Sequence, residues 1–357
     1  MATFNKDMMC LARELRAMSQ EQLAEALNIS QSKISKFESG NLVPNDDELQ
    51  RMSERDVLDV PVEFFFHPGP RRAMGSSCIF HRKKQSTRVK DLRTLHAQFA
   101  YLRIQVEELL SKIDFHAEIR IHRIDIDAFD DDAEQIAEIV RRSWGLPSGP
   151  IANLTEAIER AGGIVIKTAF EVDDVDAMSY WPDGLPPIFF VNAKKPGDRL
   201  RFSLAHELGH LVMHNVPTGD MESQADRFAS ALLMPRTVIG PELSGRLSIQ
   251  KLAAMKPRWL VSIQALVRCA FDIEAITERQ YRNTMMQISK LGWRKNEPLP
   301  VKPESPSTLA AVIRAYQEKL GYSLEDLARL TVTKRHAFER QFFGTENDDT
   351  PRLRLTN

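Results

Sequence analysis

Apolar residues recur mainly at helical spacing along this chain of 357 residues. Steps of three and four positions between apolar residues are typical of amphipathic helices, whereas short apolar runs bounded by Pro, Gly or Asn are typical of strands. The predicted helices span residues 91–116, 132–144, 154–160 and a segment from about residue 200, and the predicted strands span residues 164–166 and 188–191. The pattern therefore predicts a mainly α fold with a small β component, an α+β protein.

The predicted helix over residues 91–116 has a continuous apolar stripe. The stripe is formed by Leu92, Leu95, Phe99, Leu102, Val106, Leu109 and Ile113. An apolar face of this length must be covered by another part of a protein. We expect it to pack within the second domain of the chain, and a helix that pairs two chains is the alternative.

Three segments share the pattern Ser-x-x-x-Leu-Ala, at residues 19–24, 248–253 and 323–328. Each combines a residue that can cap a helix with an apolar pair on the buried face. Many capped amphipathic helices have this pattern. We therefore interpret the second and third copies as unrelated helices.

The first copy lies in a segment with helix-turn-helix spacing, residues 11–42. Ser19 can cap a first helix, and Ser30 can cap a second one that ends near Gly40. Asn28 lies at the turn between them and tolerates a left-handed conformation. Amide side chains can pair with adenine, Lys can reach guanine, and Ser can hold phosphates. The candidate DNA-contacting residues are Gln20, Gln31, Ser32, Lys33, Ser35 and Lys36.

This segment resembles the XRE (Cro/phage-repressor) family of helix-turn-helix domains over about residues 7–66. The resemblance implies a domain of five-helix type that binds double-stranded operator DNA in the major groove, usually as a homodimer on a palindrome. The family usually has Gly where this chain has Asn28. A helix-turn-helix used only for protein interaction is the alternative.

The total charge of the chain hides strong local differences. Lys and Arg number 48 and Asp and Glu number 49, a net charge of −1. Residues 1–66 nevertheless hold seven basic and twelve acidic residues, whereas residues 71–93 hold eight basic residues and one acidic residue. The basic segment can supply phosphate contacts that an acidic helix-turn-helix lacks.

The cysteines and the first residues of the chain predict a cytoplasmic protein. Cys10, Cys78 and Cys269 are odd in number and widely spaced, so they do not imply a disulfide framework, which fits a reducing compartment. The charged first 30 residues are unlike a secretory signal, and no run of about 18 apolar residues predicts a membrane span.

The segment from His206 to His210 has the spacing of a zinc site. The two histidines are four residues apart, so on a helix both imidazoles lie on one face and can bind one Zn²⁺. Glu207, beside the first histidine, can act as general base towards a water molecule that zinc activates.

A catalytic zinc site needs a third protein ligand. His214 is one turn further along the predicted helix, but ligands at i, i+4 and i+8 would strain a tetrahedral site, so we assign it a supporting role. Glu222 in the next predicted helix is the better candidate. Asp226, four residues on, can orient a ligating histidine by a hydrogen bond. This Glu-x-x-x-Asp after His-Glu-x-x-His is the gluzincin arrangement.

Residues 134–292 resemble the ImmA/IrrE-type metallopeptidases. The matching segments are residues 144–147, 188–192, 199–214, 222–235 and 259–262. The resemblance implies a zinc metallo-endopeptidase in which His206, His210 and Glu222 bind Zn²⁺ and Glu207 is catalytic. Known members cleave DNA-binding repressors or antitoxins and thereby relieve repression.

The sequence therefore predicts four regions. They are a DNA-binding domain (1–68), a basic linker with a long helix (69–120), a zinc metallopeptidase domain (121–292) and a Pro-rich connector with a helical C-terminal region (293–357). The leading hypothesis is a DNA-binding transcription regulator whose peptidase cleaves a repressor or antitoxin-like protein. A regulator with a non-proteolytic ligand or metal sensor, and an antitoxin of a toxin–antitoxin pair, are the alternatives.

Overall fold

The computed structural model describes residues 3–69, 89–113, 117, 119–170, 172, 175–181, 184–214, 219–245 and 247–343. The predicted basic segment, apart from its last residues, and Cys78 lie outside the described residues. The chain forms two compact units. The first comprises Met1–Ala73, Lys84–Asp114 and Ala310–Asn357, and the second comprises Met74–Lys83 and Phe115–Leu309.

The described residues form a mainly helical fold with one small sheet, as predicted. The helices that precede the sheet are α1 (Lys6–Leu15), α2 (Gln20–Ala26), α3 (Gln31–Ser39), α4 (Asp46–Ser53), α5 (Val89–Leu110), α6 (Ala133–Ser143) and α7 (Leu154–Arg160). The strands are β1 (Ile164–Thr168), β2 (Ala177–Tyr180) and β3 (Ile188–Asn192). The helices that follow are α8 (Gly197–Met213), α9 (Met221–Leu233), α10 (Arg236–Leu243), α11 (Ile249–Trp259), α12 (Ile263–Asp272), α13 (Glu278–Lys290), α14 (Thr308–Leu320), α15 (Leu324–Leu330) and α16 (Arg335–Phe343).

The first unit begins with α1 to α4 and a short 3-10 helix, Val62–Phe66. The side chain of Ser19 accepts a hydrogen bond from the Gln22 amide and completes a capping box for α2. Asn28 has a φ of 53°, which makes the sharp turn between α2 and α3. The apolar faces of these helices are fully buried, with Leu23, Ile34 and Phe37 at 0% exposure, so the turn geometry is fixed by a common core.

Helix α5 belongs to the first unit. It contacts α1 and α15, and Ile104 belongs to the same apolar cluster as Met8 and Phe64. The prediction that its stripe packs within the second domain is therefore wrong. Periodicity identifies an apolar face but not the surface that covers it.

The second unit contains a three-stranded sheet of order β1-β3-β2. β1 is parallel to β3, whereas β2 is antiparallel to it. Helix α8 packs on β2 and β3, α9 packs against α8, and α6 covers α9. One apolar cluster that includes Phe189, Leu208 and Phe228 joins these layers. This core holds α8 and α9 side by side.

No helix within the described residues is both long and apolar enough to cross a lipid bilayer.

Candidate metal centre and nucleic-acid interface

The close approach of α8 and α9 depends on Gly209. A Cβ atom at this position would lie 2.9 Å from Phe228 Cδ1, closer than real Cβ contacts allow. With glycine, the two helices approach closely, and the histidines of α8 face the first turn of α9. The helix pair therefore sets the geometry of the site.

Three predicted ligands meet at this helix pair. His206 Nε2 and His210 Nε2 are 2.9 Å apart. Glu222 Oε2 lies 3.5 Å from His206 Nε2, and Glu222 Oε1 lies 3.3 Å from His210 Nε2. The side chain of Glu222 is 40% exposed, so the cluster opens to solvent on the α9 side.

These distances fit a tetrahedral zinc site. With zinc–ligand bonds of about 2.0–2.2 Å, ligand atoms at two corners of a tetrahedron are about 3.3 Å apart. Glu222 Oε2 is also buried, and the 3.5 Å approach of His206 Nε2 is too long for a strong hydrogen bond, so this oxygen can bind a metal ion. Two imidazoles and a carboxylate are ligands that zinc binds in catalytic sites. The residues therefore fit the predicted ion.

The carboxylates of the cluster favour positive charge between the candidate ligands. Burial would lower the pKa of His206, but its hydrogen bonds to Asp226 and Glu222 raise that pKa to about 9. Hydrogen bonds from His206 and His210 hold the pKa of Glu222 well below its usual range. The carboxylates thus stabilise positive charge at this point, which a proton on His206 or a metal ion can supply.

Asp226 orients His206. Its Oδ1 lies 2.8 Å from His206 Nδ1, and a carboxylate can only accept here, so Nδ1 carries a proton. His206 Nε2 is therefore the nitrogen that faces the cluster. This is the contact predicted for Asp226.

A polar chain orients His210. Gln224 Nε2 donates to Asp131 Oδ1 over 3.1 Å, so the amide oxygen of Gln224 accepts from His214 Nε2 over 2.8 Å. Burial lowers the pKa of His214 to about 4, so its ring is neutral and its Nδ1 carries no proton. That atom accepts from His210 Nδ1 over 3.0 Å, so the proton of His210 is on Nδ1 and its Nε2 faces the cluster. His214 caps the end of α8 and lies beside the candidate ligand His210.

Glu207 lies on the inner side of α8 and is buried, at 8% exposure. Ser179 Oγ, on β2, donates a hydrogen bond of 2.7 Å to Glu207 Oε2. This bond fixes one carboxylate oxygen of Glu207. Sequence analysis did not identify Ser179, Gln224 or Asp131, because their roles depend on contacts between segments 28 to 93 residues apart.

The candidate DNA-contacting residues lie on α2 and α3 in the first unit. Gln31 Nε2 donates to Gln20 Oε1 over 2.7 Å, and Gln20 Nε2 donates to Glu38 Oε2 over 2.7 Å, so both amides are held in place. Lys33 forms an ion pair with Glu48. The exposure of the remaining candidates differs: Gln31, Ser32 and Lys36 are exposed, and Ser35 is half-buried.

Comparisons with known proteins match the two segments that carry these residues. Residues 11–65 match the helix-turn-helix family, and residues 158–269 match the family described as IrrE N-terminal-like domain. Two relatives, both described as uncharacterised helix-turn-helix-type transcriptional regulators, come from Sinorhizobium medicae and Rhizobium meliloti. Each is 42% identical over 60 residues, which are 17% of this chain and 42% of the relative.

These matches cover separate parts of the chain. The IrrE match falls within the predicted range of residues 134–292 but is shorter, and it includes both histidines and Glu222. The chain spans less than half the length of the two relatives. The chain therefore carries a helix-turn-helix domain of the XRE type at its N-terminus and an IrrE/ImmA-like domain in its C-terminal region.

Proposed function

We propose that this protein is a DNA-binding transcription regulator with a zinc-dependent endopeptidase that cleaves a repressor or antitoxin-like protein. The observation that carries this proposal is the convergence of His206, His210 and Glu222 next to the buried carboxylate of Glu207. A site built only for metal storage has no need of such a carboxylate. The matched IrrE-like segment supports the same assignment.

The residues of the site divide the work of peptide hydrolysis. His206, His210 and Glu222 would hold zinc, which supplies Lewis-acid activation of a water molecule and of a peptide carbonyl. Glu207 Oε1 accepts the proton of the attacking water and passes it to the amine that leaves. Ser179 keeps the other oxygen of that carboxylate fixed during both transfers.

The helix-turn-helix domain supplies DNA binding. In this proposal the exposed side chains of α3 enter the major groove. The hydrogen bond between Gln20 and Gln31, which holds both amides in place, supports this role. Preorganised side chains lose less conformational entropy when they bind. A homodimer on a palindromic operator remains a prediction from the family resemblance.

The direct test of the peptidase is the Glu207→Gln variant. The zinc-loaded chain is incubated with a library of proteome-derived peptides, and new N-termini are counted by mass spectrometry. We expect new termini with the wild-type chain and at least about a 100-fold loss with the variant, because the general base is removed. Glu138→Gln, an exposed change on α6, is the matched control and should retain activity.

The same variant separates the sensor hypothesis. If the wild-type chain binds zinc but neither chain produces new termini, and Glu207→Gln regulates its genes normally, the peptidase assignment is wrong. The domain then acts as a non-proteolytic sensor.

A further inference from the structure

The last three helices repeat the backbone of the N-terminal helix-turn-helix. α15 has the same length as α2, seven residues, and α16 has the same length as α3, nine residues. Four residues separate the two helices in both cases: 27–30 and 331–334. Each residue of the second copy therefore corresponds to the residue 304 positions earlier.

The turns of the two copies agree in detail. Ser19 and Ser323 each form a capping box at the first helix. Asn28 has a φ of 53°, and its counterpart Val332 has a φ of 46°, the left-handed region that side chains other than glycine seldom adopt. A left-handed residue often follows a helix, but a β-branched valine rarely adopts this conformation, so its presence at the same position supports the correspondence.

Backbone hydrogen bonds and burial follow the same correspondence. The Ile29 amide donates to the Ala24 carbonyl over 3.0 Å, and the Thr333 amide donates to the Ala328 carbonyl over 2.9 Å. The buried residues of α1, which are Met8, Met9 and Ala12, correspond to the buried residues Val312, Ile313 and Tyr316 of α14. Residues 308–343 therefore form a second helix-turn-helix, here named the C-terminal module.

This repeat corrects one interpretation from the sequence. The third Ser-x-x-x-Leu-Ala copy is not an unrelated capped helix. The second copy does not share the geometry, because α11 extends over 11 residues.

In the C-terminal module, the end of the second helix that would contact DNA is covered by the N-terminal domain. In a helix-turn-helix, the N-terminal residues of the second helix contact the bases. In α16 this end is occupied by Asp59 of the N-terminal domain. His336 Nε2 lies 3.0 Å from Asp59 Oδ2, and Lys334 Nζ lies 3.5 Å from Asp59 Oδ1. Lys334 also donates to the backbone carbonyl of Ser53.

The turn of the module is buried as well. Val332 belongs to the apolar cluster of the N-terminal helices, and its carbonyl accepts a hydrogen bond of 3.4 Å from Tyr101 Oη. Thr331 and Thr333 are also buried. A DNA-reading turn has to remain accessible at this point.

The two copies are not arranged as a symmetric pair. Helix α5 contacts α1 of the first copy but α15 of the second, which are not equivalent helices. On the exposed face of α16, Arg335 pairs with Glu339 over 2.8 Å, which reduces its charge towards a phosphate. Neither feature fits two helices that read two half-sites.

We propose that the C-terminal module is a docking element whose partner is the N-terminal helix-turn-helix domain, and that it does not bind DNA. The N-terminal end of α16, which would contact bases in a DNA-binding helix-turn-helix, contacts Asp59 instead. Because the module follows the second unit in the chain, docking gives the DNA-binding domain a second connection to that unit besides residues 69–120. In this proposal a helix-turn-helix fold, typical of DNA-binding domains, serves to hold the N-terminal helix-turn-helix domain.

Two double variants of α16 in the full chain test this proposal. Lys334→Ala/His336→Ala removes the contacts with Asp59, and Arg335→Ala/Arg340→Ala removes two exposed charges from the same helix. Hydrogen exchange of α15 and α16 and binding to a labelled random-sequence 30-base-pair duplex are measured for both. The DNA measurement depends on the proposed binding by the first domain, whereas the exchange measurement does not.

We expect Lys334→Ala/His336→Ala to speed amide hydrogen exchange in α15 and α16 by about tenfold or more. The reason is the loss of charge-assisted hydrogen bonds between partly buried groups. Asp59→Asn should reproduce this change from the other side. Arg335→Ala/Arg340→Ala should leave both exchange and DNA affinity as in the wild type. The proposal fails if Arg335→Ala/Arg340→Ala weakens DNA binding and lowers its salt dependence. It also fails if hydrogen exchange is unchanged in both Lys334→Ala/His336→Ala and Asp59→Asn.

Discussion

At the scale of single residues, the candidate site depends on which nitrogen of each histidine carries a proton. Asp226 fixes the proton of His206 on Nδ1. A series of hydrogen bonds, from Asp131 through Gln224 and His214, fixes the proton of His210 on Nδ1. Both Nε2 atoms are consequently directed to the same point. Partners of this kind are as important to a metal site as the ligands themselves.

Gln224→Leu should weaken zinc binding, because His214 loses its acceptor and the proton of His210 can then move from Nδ1 to Nε2. We expect a loss of about 10- to 100-fold in zinc affinity. Gln224→Glu keeps an acceptor oxygen and should lose less. Competition with a chelator measures the affinity, and Gln135→Leu on the exposed face of α6 is the control. Equal zinc affinity in all three variants would show that the hydrogen bonds from Gln224 through His214 do not orient His210.

Glu38 should make the first unit sensitive to acid. Burial alone would raise its pKa, but hydrogen bonds from Arg13 and Gln20 hold that pKa below its usual range. The carboxylate therefore stabilises the fold above a pH of about 4.5, and this contribution, about 1–3 kcal/mol, is lost as the pH falls further. Glu38→Gln should show a shallower loss of thermal stability between pH 5.5 and 3.5 than the wild type. Identical slopes, with Glu21→Gln as the exposed control, would contradict this assignment.

At the scale of elements, periodicity predicted the helices of the site better than it predicted their partners. Helix α8 was expected from its apolar spacing, and the ligand residues follow from their positions on it. Strand β2 was missed because Ala177-Met178-Ser179-Tyr180 has no apolar run and forms only by pairing with β3. The partner of α5 was predicted wrongly, since a stripe says nothing about the surface that covers it.

Gly209→Ala should separate α8 from α9. Alanine favours a helix by about 1 kcal/mol over glycine, but the clash with Phe228 should outweigh this and lower stability by about 1–3 kcal/mol in total. Zinc affinity should also fall, because Glu222 moves away from the histidines. Chemical unfolding and zinc titration measure the two effects. Gly149→Ala, which has nothing within 4 Å, should change neither, and a Gly209→Ala chain as stable as this control would refute the packing argument.

At the scale of the whole molecule, a net charge near zero is the sum of acidic and basic segments that cancel. The acidic N-terminal domain is followed by the basic segment over residues 71–93. The proposed role of this segment follows from its charge. The position between a DNA-binding domain and the second unit suits a contact with DNA phosphates.

Neutralising Arg82, Lys83 and Lys84 to Gln should weaken binding to a random-sequence duplex and make it less dependent on salt. Each lost phosphate contact lowers the salt slope by about 0.9. Fluorescence anisotropy across a salt series measures this. The matched triple change of Arg279, Arg282 and Lys290, all exposed on α13, removes the same charge from elsewhere. If both triple variants behave alike, the segment is only a linker.

The central claim is that His206, His210 and Glu222 form one zinc site, and metal analysis of the purified chain tests it most directly. We predict one zinc ion per chain in the wild type and in Glu207→Gln, and less than about a tenth of that in His206→Ala. His122→Ala, an exposed histidine of the same unit, should retain the full amount. A folded wild-type chain that takes up no zinc, or a His206→Ala chain that binds as much as the wild type, would contradict the account.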